Sequence, residues 1–288
     1  MSEYHIPVML EESVSALISN PDGIYADATF GGGGHTAEIL SRLHNGGRLI
    51  AFDRDVDALE NAPSDPRLTL IHNNFRFIEN YAVLNGVLFD GILADLGVSS
   101  HQFDTAGRGF SFRFPEAPLD MRMNTQAKRT AADLVNELDQ DALTHIFRTY
   151  GELDSAYRAA GLIVKAREGK KLSTCGELDS ALAPILPRGA EHKVLSKVYQ
   201  ALRIEVNQEL HSLEKFLDGA AHSLKEGGRL VIITYHSLED RMVKNFFRTE
   251  PMEPLGRKPV LPREEEIAAN TRARSAKMRV AVKTGRES

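Results

Sequence analysis

Three short segments carry residues whose types and spacing suit chemistry. The first, Asp27-Ala28-Thr29-Phe30-Gly31-Gly32-Gly33-Gly34-His35, sets a glycine run between a strand-like stretch and a helix-like one. Glycines at such a junction permit a tight turn and bring a ligand close to main-chain N–H groups at a helix N-terminus. The run lacks the Gly-Lys-Ser/Thr ending of a nucleotide phosphate loop, which argues against ATP or GTP hydrolysis. The second is Asp53, which closes the apolar run Leu49-Ile50-Ala51-Phe52. Its distance from Asp27 is near that at which an acidic residue bonds ribose hydroxyls in dinucleotide folds. Taken alone, Asp53 reads equally well as a helix N-cap. With the glycine loop it favours an adenosine-containing cofactor, either S-adenosylmethionine (SAM) or a nicotinamide dinucleotide. The third is Asp95-Leu96-Gly97-Val98-Ser99-Ser100, whose Asp95 ends another apolar run and should face the same cleft. An exocyclic base amine is a poor nucleophile because its lone pair delocalises into the ring. A carboxylate holding its N–H would aim the nitrogen at a methyl donor.

The elements that must position these residues alternate. Strand-like runs at 23–30, 48–53, 67–72 and 90–95 are separated by helical stretches at 35–43, 56–61 and 76–84. Short, nearly all-apolar strands between helices predict a parallel sheet covered on both faces, an α/β doubly wound fold. The rhythm breaks after Ser100. Residues 101–125 read as a loop, and the next 80 or so read as helices, at 131–138, 140–150, 154–168 and 174–183. Val206, Leu210, Leu213, Leu217, Ala221 and Leu224 then recur at steps of three or four, predicting one long amphipathic helix. A buried strand at 229–235 and a final one at 278–283 resume the first pattern, with a Pro-rich loop at 251–270 between them. The division expected is therefore an α/β domain, 1–107 with 206–288, interrupted by a helical domain at 108–205.

Composition narrows the classes further. The 288 residues are 42% hydrophobic and 26% charged, which fits a globular chain rather than a disordered or fibrous one. Cys175 is the single cysteine, so no internal disulfide framework is available, and the histidines lack metal-ligand spacing, so no metal is expected. No apolar run approaches a membrane span and the start lacks a signal-peptide layout, so the expected compartment is the cytoplasm. The net charge of −5 is uneven: residues 241–288 hold 12 Lys/Arg against 6 Asp/Glu, and the rest of the chain is acidic. A basic tail on an acidic body suits an anionic partner such as RNA, though a solvated face reads the same way. Arg108, Phe110 and Phe112 offer a base and two aromatics that would stack on an extruded nucleobase or form a hydrophobic seam. Tyr235 and His236 follow the fifth strand and should line the cleft.

Gly31–His35, Asp95–Ser100, Arg108–Phe112, Pro118–Met123, Tyr150-Gly151-Glu152, His236–Arg241 and Arg272–Ser275 together, with the opening His5-Ile6-Pro7-Val8, resemble one family in their order. It is the bacterial small-subunit ribosomal RNA cytosine-N4 methyltransferases, the RsmH or MraW family, and the likeness covers nearly the whole chain. The resemblance implies a class I SAM-dependent methyltransferase domain with a helical insertion. It implies methylation of cytidine N4 in the decoding region, acting on the small ribosomal subunit and its RNA, with no membrane partner and a homodimer left open. By matching positions it implies that Gly33, Gly34, His35, Asp53, Phe75, Asp95 and Gln102 contact SAM. Asp95 is the catalytic candidate, and Arg108, Phe110, Phe112, Tyr235, His236 and Arg241 are candidates for holding substrate. One departure stands out: where the family often has Pro-Ala-Thr-Arg-Thr-Phe-Gln, this chain has Val194-Leu195-Ser196-Lys197-Val198-Tyr199-Gln200, a point charge in place of a planar guanidinium. Two rivals remain at this point, a nicotinamide oxidoreductase and a non-catalytic RNA-binding factor with a relic pocket.

Overall fold

A computed structural model of the protein describes residues 7–59, 62–249 and 251–285. His5, Ile6, the end of the helix expected at 56–61, and Arg286 lie outside the described residues. The chain forms two compact units, Met1–Gly97 with Leu210–Ser288, and Val98–Glu209. Sequence placed the corresponding boundaries at 108 and 205.

In the first unit the chain runs α1 (Leu10–Leu17), β1 (Ile24–Asp27), α2 (Gly34–Arg42), β2 (Arg48–Asp53), α3 (Val56–Leu59), β3 (Leu68–His72), α4 (Ile78–Asn85) and β4 (Phe89–Asp95). After the second unit, with α5 (Ser100–Asp104), α6 (Ala131–Glu137), α7 (Gln140–Thr149), α8 (Ala156–Gly169), α9 (Cys175–Leu182) and α10 (His192–Asn207), it returns along α11 (Glu209–Ser223). Then come β5 (Leu224–Thr234), α12 (Ser237–Phe246), β6 (Met252–Pro254), α13 (Glu264–Ala269) and β7 (Lys277–Lys283). The seven strands lie in the order β3-β2-β1-β4-β5-β7-β6. β1 to β5 are parallel, while β7 runs antiparallel to both β5 and β6. This is a Rossmann-like, doubly wound, mostly parallel sheet.

Alternation along each strand explains why both faces are covered. In β5, Leu230 and Ile232 face a core shared with Phe52, Ile92, α4 and α11, whereas Val231 and Ile233 face a core shared with Tyr25, Leu49, α1 and α2. All four β5 side chains are fully buried. Each such burial stabilises by about 1.5–3 kcal/mol, which secures the register of a central strand. The strand order reverses direction between β1 and β4, so a crevice opens at their carboxyl ends. Asp27 and Asp95 sit at those two ends.

Several elements differ from the sequence reading. The periodic run from Val206 to Leu224 is not one helix. α10, absent from that reading, ends at Asn207, Gln208 takes a left-handed φ of 51°, and α11 begins anew. β5 begins at Leu224 rather than 229. The segment expected to be loop at 251–270 holds β6 and α13, and its acidic triplet Glu264-Glu265-Glu266 fills the first turn of α13, where negative charge offsets the helix dipole. α1 and α12 went unread as well.

The second unit packs its helices around Phe110, Met121, Leu134, Phe147, Ile163, Leu178 and Leu202. α6 and α9 each open with a capping box, Thr130 with Asp133 and Thr174 with Glu177. Each box satisfies two N–H groups that the helix itself leaves unpaired. No helix among the described residues is long and apolar enough to cross a membrane.

Candidate active site

The glycine loop does what its composition suggests. Gly33, with φ 78°, is the N-cap of α2 and closes a turn by donating its N–H to the Phe30 carbonyl at 2.8 Å. A β-carbon on Gly34 would stand 2.1 Å from the Pro7 ring, so only glycine fits beneath that proline. The loop is tied to its neighbours on both sides. The Phe30 N–H donates to the Phe52 carbonyl at 2.9 Å, and the Asp95 N–H donates to the Thr29 hydroxyl at 2.7 Å. The ends of β1, β2 and β4 are thereby held as one surface.

Three carboxylates surround that surface. Asp53 Oδ2 accepts the Gly31 N–H at 2.8 Å and Oδ1 accepts the Asp55 N–H at 2.8 Å; burial raises its pKa. Asp27 is buried, accepts the Thr36 hydroxyl at 2.7 Å, and is pushed up to about 6, chiefly by burial. Asp95 Oδ1 accepts the Tyr235 hydroxyl at 2.6 Å. Burial pushes Asp95 up to about 7; the Tyr235 hydrogen bond opposes this, and the charges of Asp27, Glu239 and Glu266 add to it. Tyr235 itself is held well above its ordinary value by burial and by Asp95, so its hydroxyl stays a donor. Gly97, at φ 107°, lets the chain leave β4 flat against the Tyr235 ring, 3.3 Å from where a β-carbon would lie. His35 lies beside them, with Nε2 3.2 Å from the Val8 carbonyl and Nδ1 3.9 Å from Asp95. Burial lowers its pKa to about 4, so it is neutral at physiological pH and brings no positive charge.

These residues fit SAM on physical grounds. Among the described residues, no lysine or arginine pairs with Asp27 or Asp95. Burial favours the protonated form of carboxylates that lack a cation. A ligand carrying a sulfonium supplies the missing positive charge, and the loop and Asp53 suit its adenosine. Phe75, first residue of a short 3-10 turn after β3, is partly buried and packs edge-on against Phe216, with ring centroids 5.0 Å apart. It remains an apolar wall suited to adenine.

The remaining sequence candidates lie at the start of α12 and in the second unit. His236 caps α12, Nδ1 accepting the Glu239 N–H at 3.4 Å, and Arg241 is exposed on that helix. Gln102, on α5 in the second unit, is buried and its amide oxygen accepts the Ser99 N–H at 3.3 Å. In that unit Arg108 donates to the carbonyls of Arg122 and Met123 at 3.0 and 3.1 Å. Phe110 is a core residue and Phe112 packs edge-on against Tyr199 at 5.6 Å, so both aromatics serve packing here rather than presenting free stacking faces. The departure at Lys197 also has a structural account. Its ammonium donates to the Glu152 carbonyl at 2.8 Å, and Gln200 donates to the Tyr150 carbonyl at 2.9 Å, so α10 braces the Tyr150-Gly151-Glu152 turn. Sequence reasoning missed the bond between Asp95 and Tyr235, whose partners lie far apart in the chain. The available signal was that both close adjacent central strands.

The family model described as the MraW methylase family matches residues 2–284. The chain is 51% identical over 297 residues to a protein of Bacteroides fragilis (strain YCH46) named ribosomal RNA small subunit methyltransferase H, an alignment covering 97% of each. It is 50% identical over 291 residues to the protein of that name from Flavobacterium psychrophilum, covering 96% of this chain and 100% of that one. The protein of that name from Christiangramia forsetii is 48% identical over 299 residues, covering 98% of this chain and 99% of its own.

Proposed function

Because the chain belongs to the MraW methylase family and is a SAM-dependent methyltransferase, we propose that it methylates N4 of a cytidine in the decoding region of small-subunit ribosomal RNA. The observation that carries the reading is Asp95, an acceptor at the carboxyl end of β4, fixed on one side by Tyr235 and paired with no lysine or arginine among the described residues. The relatives' names, which specify the small subunit, and the ordered motifs support the choice of RNA.

SAM supplies an electrophilic methyl group activated by its positive sulfonium. The chain's own residues do the rest. Gly33, Gly34 and His35 form the loop against which the cofactor rests, Asp53 accepts from the ribose, and Phe75 flanks the adenine. Tyr235 occupies Asp95 Oδ1, which leaves Oδ2 to accept an N–H of the exocyclic amine. That bond holds the nitrogen lone pair on the line of attack and drains the proton as the new bond forms. A carboxyl titrating at about 7 is matched to that task, since a substantial fraction is ionised at neutral pH and the carboxylate is still basic enough to take the proton. The helical unit at 98–209 serves substrate recognition, and the cytoplasm, where small subunits are present, is the site of action.

The test uses small subunits from cells lacking this protein, incubated with it and methyl-labelled SAM, followed by nucleoside mass spectrometry. Label in N4-methylcytidine is the expected result. Label in a different nucleoside refutes the cytosine assignment, and SAM binding without any label refutes the substrate.

A further inference from the structure

The cleft is lined with carboxylates, so the phosphates of an RNA substrate need a cationic surface outside it. The first unit builds one on the far edge of the sheet. β6 ends at Pro254, and Leu255 still donates its N–H to the Val280 carbonyl at 2.8 Å. The chain then leaves the sheet and returns at Val260, which exchanges N–H···O bonds of 2.8 and 2.9 Å with Met278. Between these anchors residues 256–259 arch outward, with Gly256 at φ 129°, a conformation that side-chain-bearing residues rarely adopt. Beneath the arch, against the C-terminal end of α12, lies a shallow, solvent-open concavity.

Its lining is mixed in a particular way. Lys244 and Arg248 come from α12 and the turn after it, and Arg257 and Lys258 from the arch. None of the four has an ion-pair partner among the described residues, whereas Arg279 and Lys277 on β7 are committed to Asp240. Among these cations stand two exposed apolar side chains, Leu255 (56%) and Val260 (45%). Unpaired cations beside exposed apolar surface match a nucleotide chain, phosphate to the one and base or ribose to the other.

The place also matters. Asp95 is level with Ile233 on β5, and Ile233 is level with Met278 on β7. Two strand spacings, about 10 Å, therefore separate the backbone of the site from the floor of the concavity. α12 spans the same interval, starting at the cap His236 beside the cleft and ending at the cations.

We propose that the concavity between α12 and the 255–260 arch binds the single-stranded RNA flanking the target nucleotide, holding its phosphates on Lys244, Arg248, Arg257 and Lys258 while the target base reaches the acidic cleft. The inference rests on the reading that the substrate is RNA.

The test compares wild type with Arg257→Ala/Lys258→Ala and, separately, Lys244→Ala/Arg248→Ala, using intact small subunits lacking the modification. Each double variant is expected to keep the wild-type SAM dissociation constant, which reports the fold, and to raise KM for subunits about ten-fold. The slope of log K for subunit binding against log salt should become shallower by about 0.7 per cation removed, about 1.4 for a pair. Ultraviolet crosslinking from the arch should map to RNA. Wild-type KM and salt slope in both variants overturn the proposal, as does a crosslink that maps to a ribosomal protein. Failure of the wild-type enzyme to methylate subunits at all overturns the substrate reading first and this inference with it, so the two failures are distinguishable.

Discussion

Replacing Tyr235 with Phe removes one oxygen and leaves the ring that packs against Gly97, so its effect should be electrostatic. The hydroxyl donates to Asp95 Oδ1 at 2.6 Å and is the main influence holding that carboxyl down against burial. A hydrogen bond to a charged group contributes about 1.5–3 kcal/mol, which corresponds to roughly 1–2 pKa units. Asp95, at about 7 in the wild type, should therefore titrate at about 8–9 in Tyr235→Phe. The ionised fraction at pH 7.5 would fall about 3- to 25-fold, with recovery above pH 9. The assay is kcat/KM for small subunits measured from pH 6 to 10. Wild type should lose activity as pH falls through about 7, and Tyr235→Phe should show the same limb displaced to higher pH. An acid limb that does not move, or a loss equal at every pH, would refute the reasoning that Tyr235 sets the ionisation of Asp95.

Asp53→Ala should raise the SAM dissociation constant about 10- to 100-fold, the worth of hydrogen bonds to a charged acceptor, in isothermal titration; an unchanged constant removes Asp53 from the ribose site. Asp95→Asn trades function for stability. The native carboxyl titrates at about 7 against 3.8 for its ordinary value, so folding favours its protonated form. Wild type therefore pays a cost that grows as pH rises from about 4 and is complete above about 7. Asn carries no such charge, so the variant should unfold at higher temperature than wild type at pH 8, by on the order of 2 kcal/mol allowing for partial exposure, with the difference gone at pH 4. Equal melting temperatures at pH 8 would contradict this. Gly109→Ala should destabilise the helical unit by about 2 kcal/mol or more in thermal unfolding, since Gly109 has φ 69° and a β-carbon would stand 2.2 Å from the Pro118 carbonyl oxygen. A wild-type melting curve would show that the turn relaxes freely.

The strands of the first unit were legible because burial on both faces demands unbroken apolar runs, and the strand-end residues Asp53 and Asp95 followed from that. The glycine loop was legible for the same local reason. What escaped was non-local or broke a pattern. The stripe of Val206, Leu213 and Leu217 continues across Gln208, yet a single left-handed residue divides the helices, and periodicity does not register one backbone angle. α10 carries its own buried stripe, Leu195, Val198, Tyr199 and Leu202, behind a polar start that masked it. Arg108, Phe110 and Phe112 read equally as a base clamp and as a hydrophobic seam, because an aromatic on a loop carries no mark of what it packs against. The second unit supplies that packing from residues up to ninety positions downstream. Asp27 was seen as part of a motif, but its coupling to Asp95 depends on β1 and β4 being neighbours, which strand order alone determines.

The same strand order has a consequence for synthesis. β4 pairs with β1 on one side, and its other edge is paired by β5, which lies beyond residues 96–223 in the chain. At about 5–20 residues per second, the ribosome needs roughly 6–25 s to make that interval. During it, β4 is an edge strand with an open row of N–H and C=O groups and an apolar face that α11 has yet to cover. The helical unit is complete before β5 emerges, so folding it early shortens the loop that must close, which lowers the entropic cost of bringing β5 home. An insertion placed between strands that must pair is thus also a delay line, and the nascent chain spends that delay with the middle of its sheet unguarded.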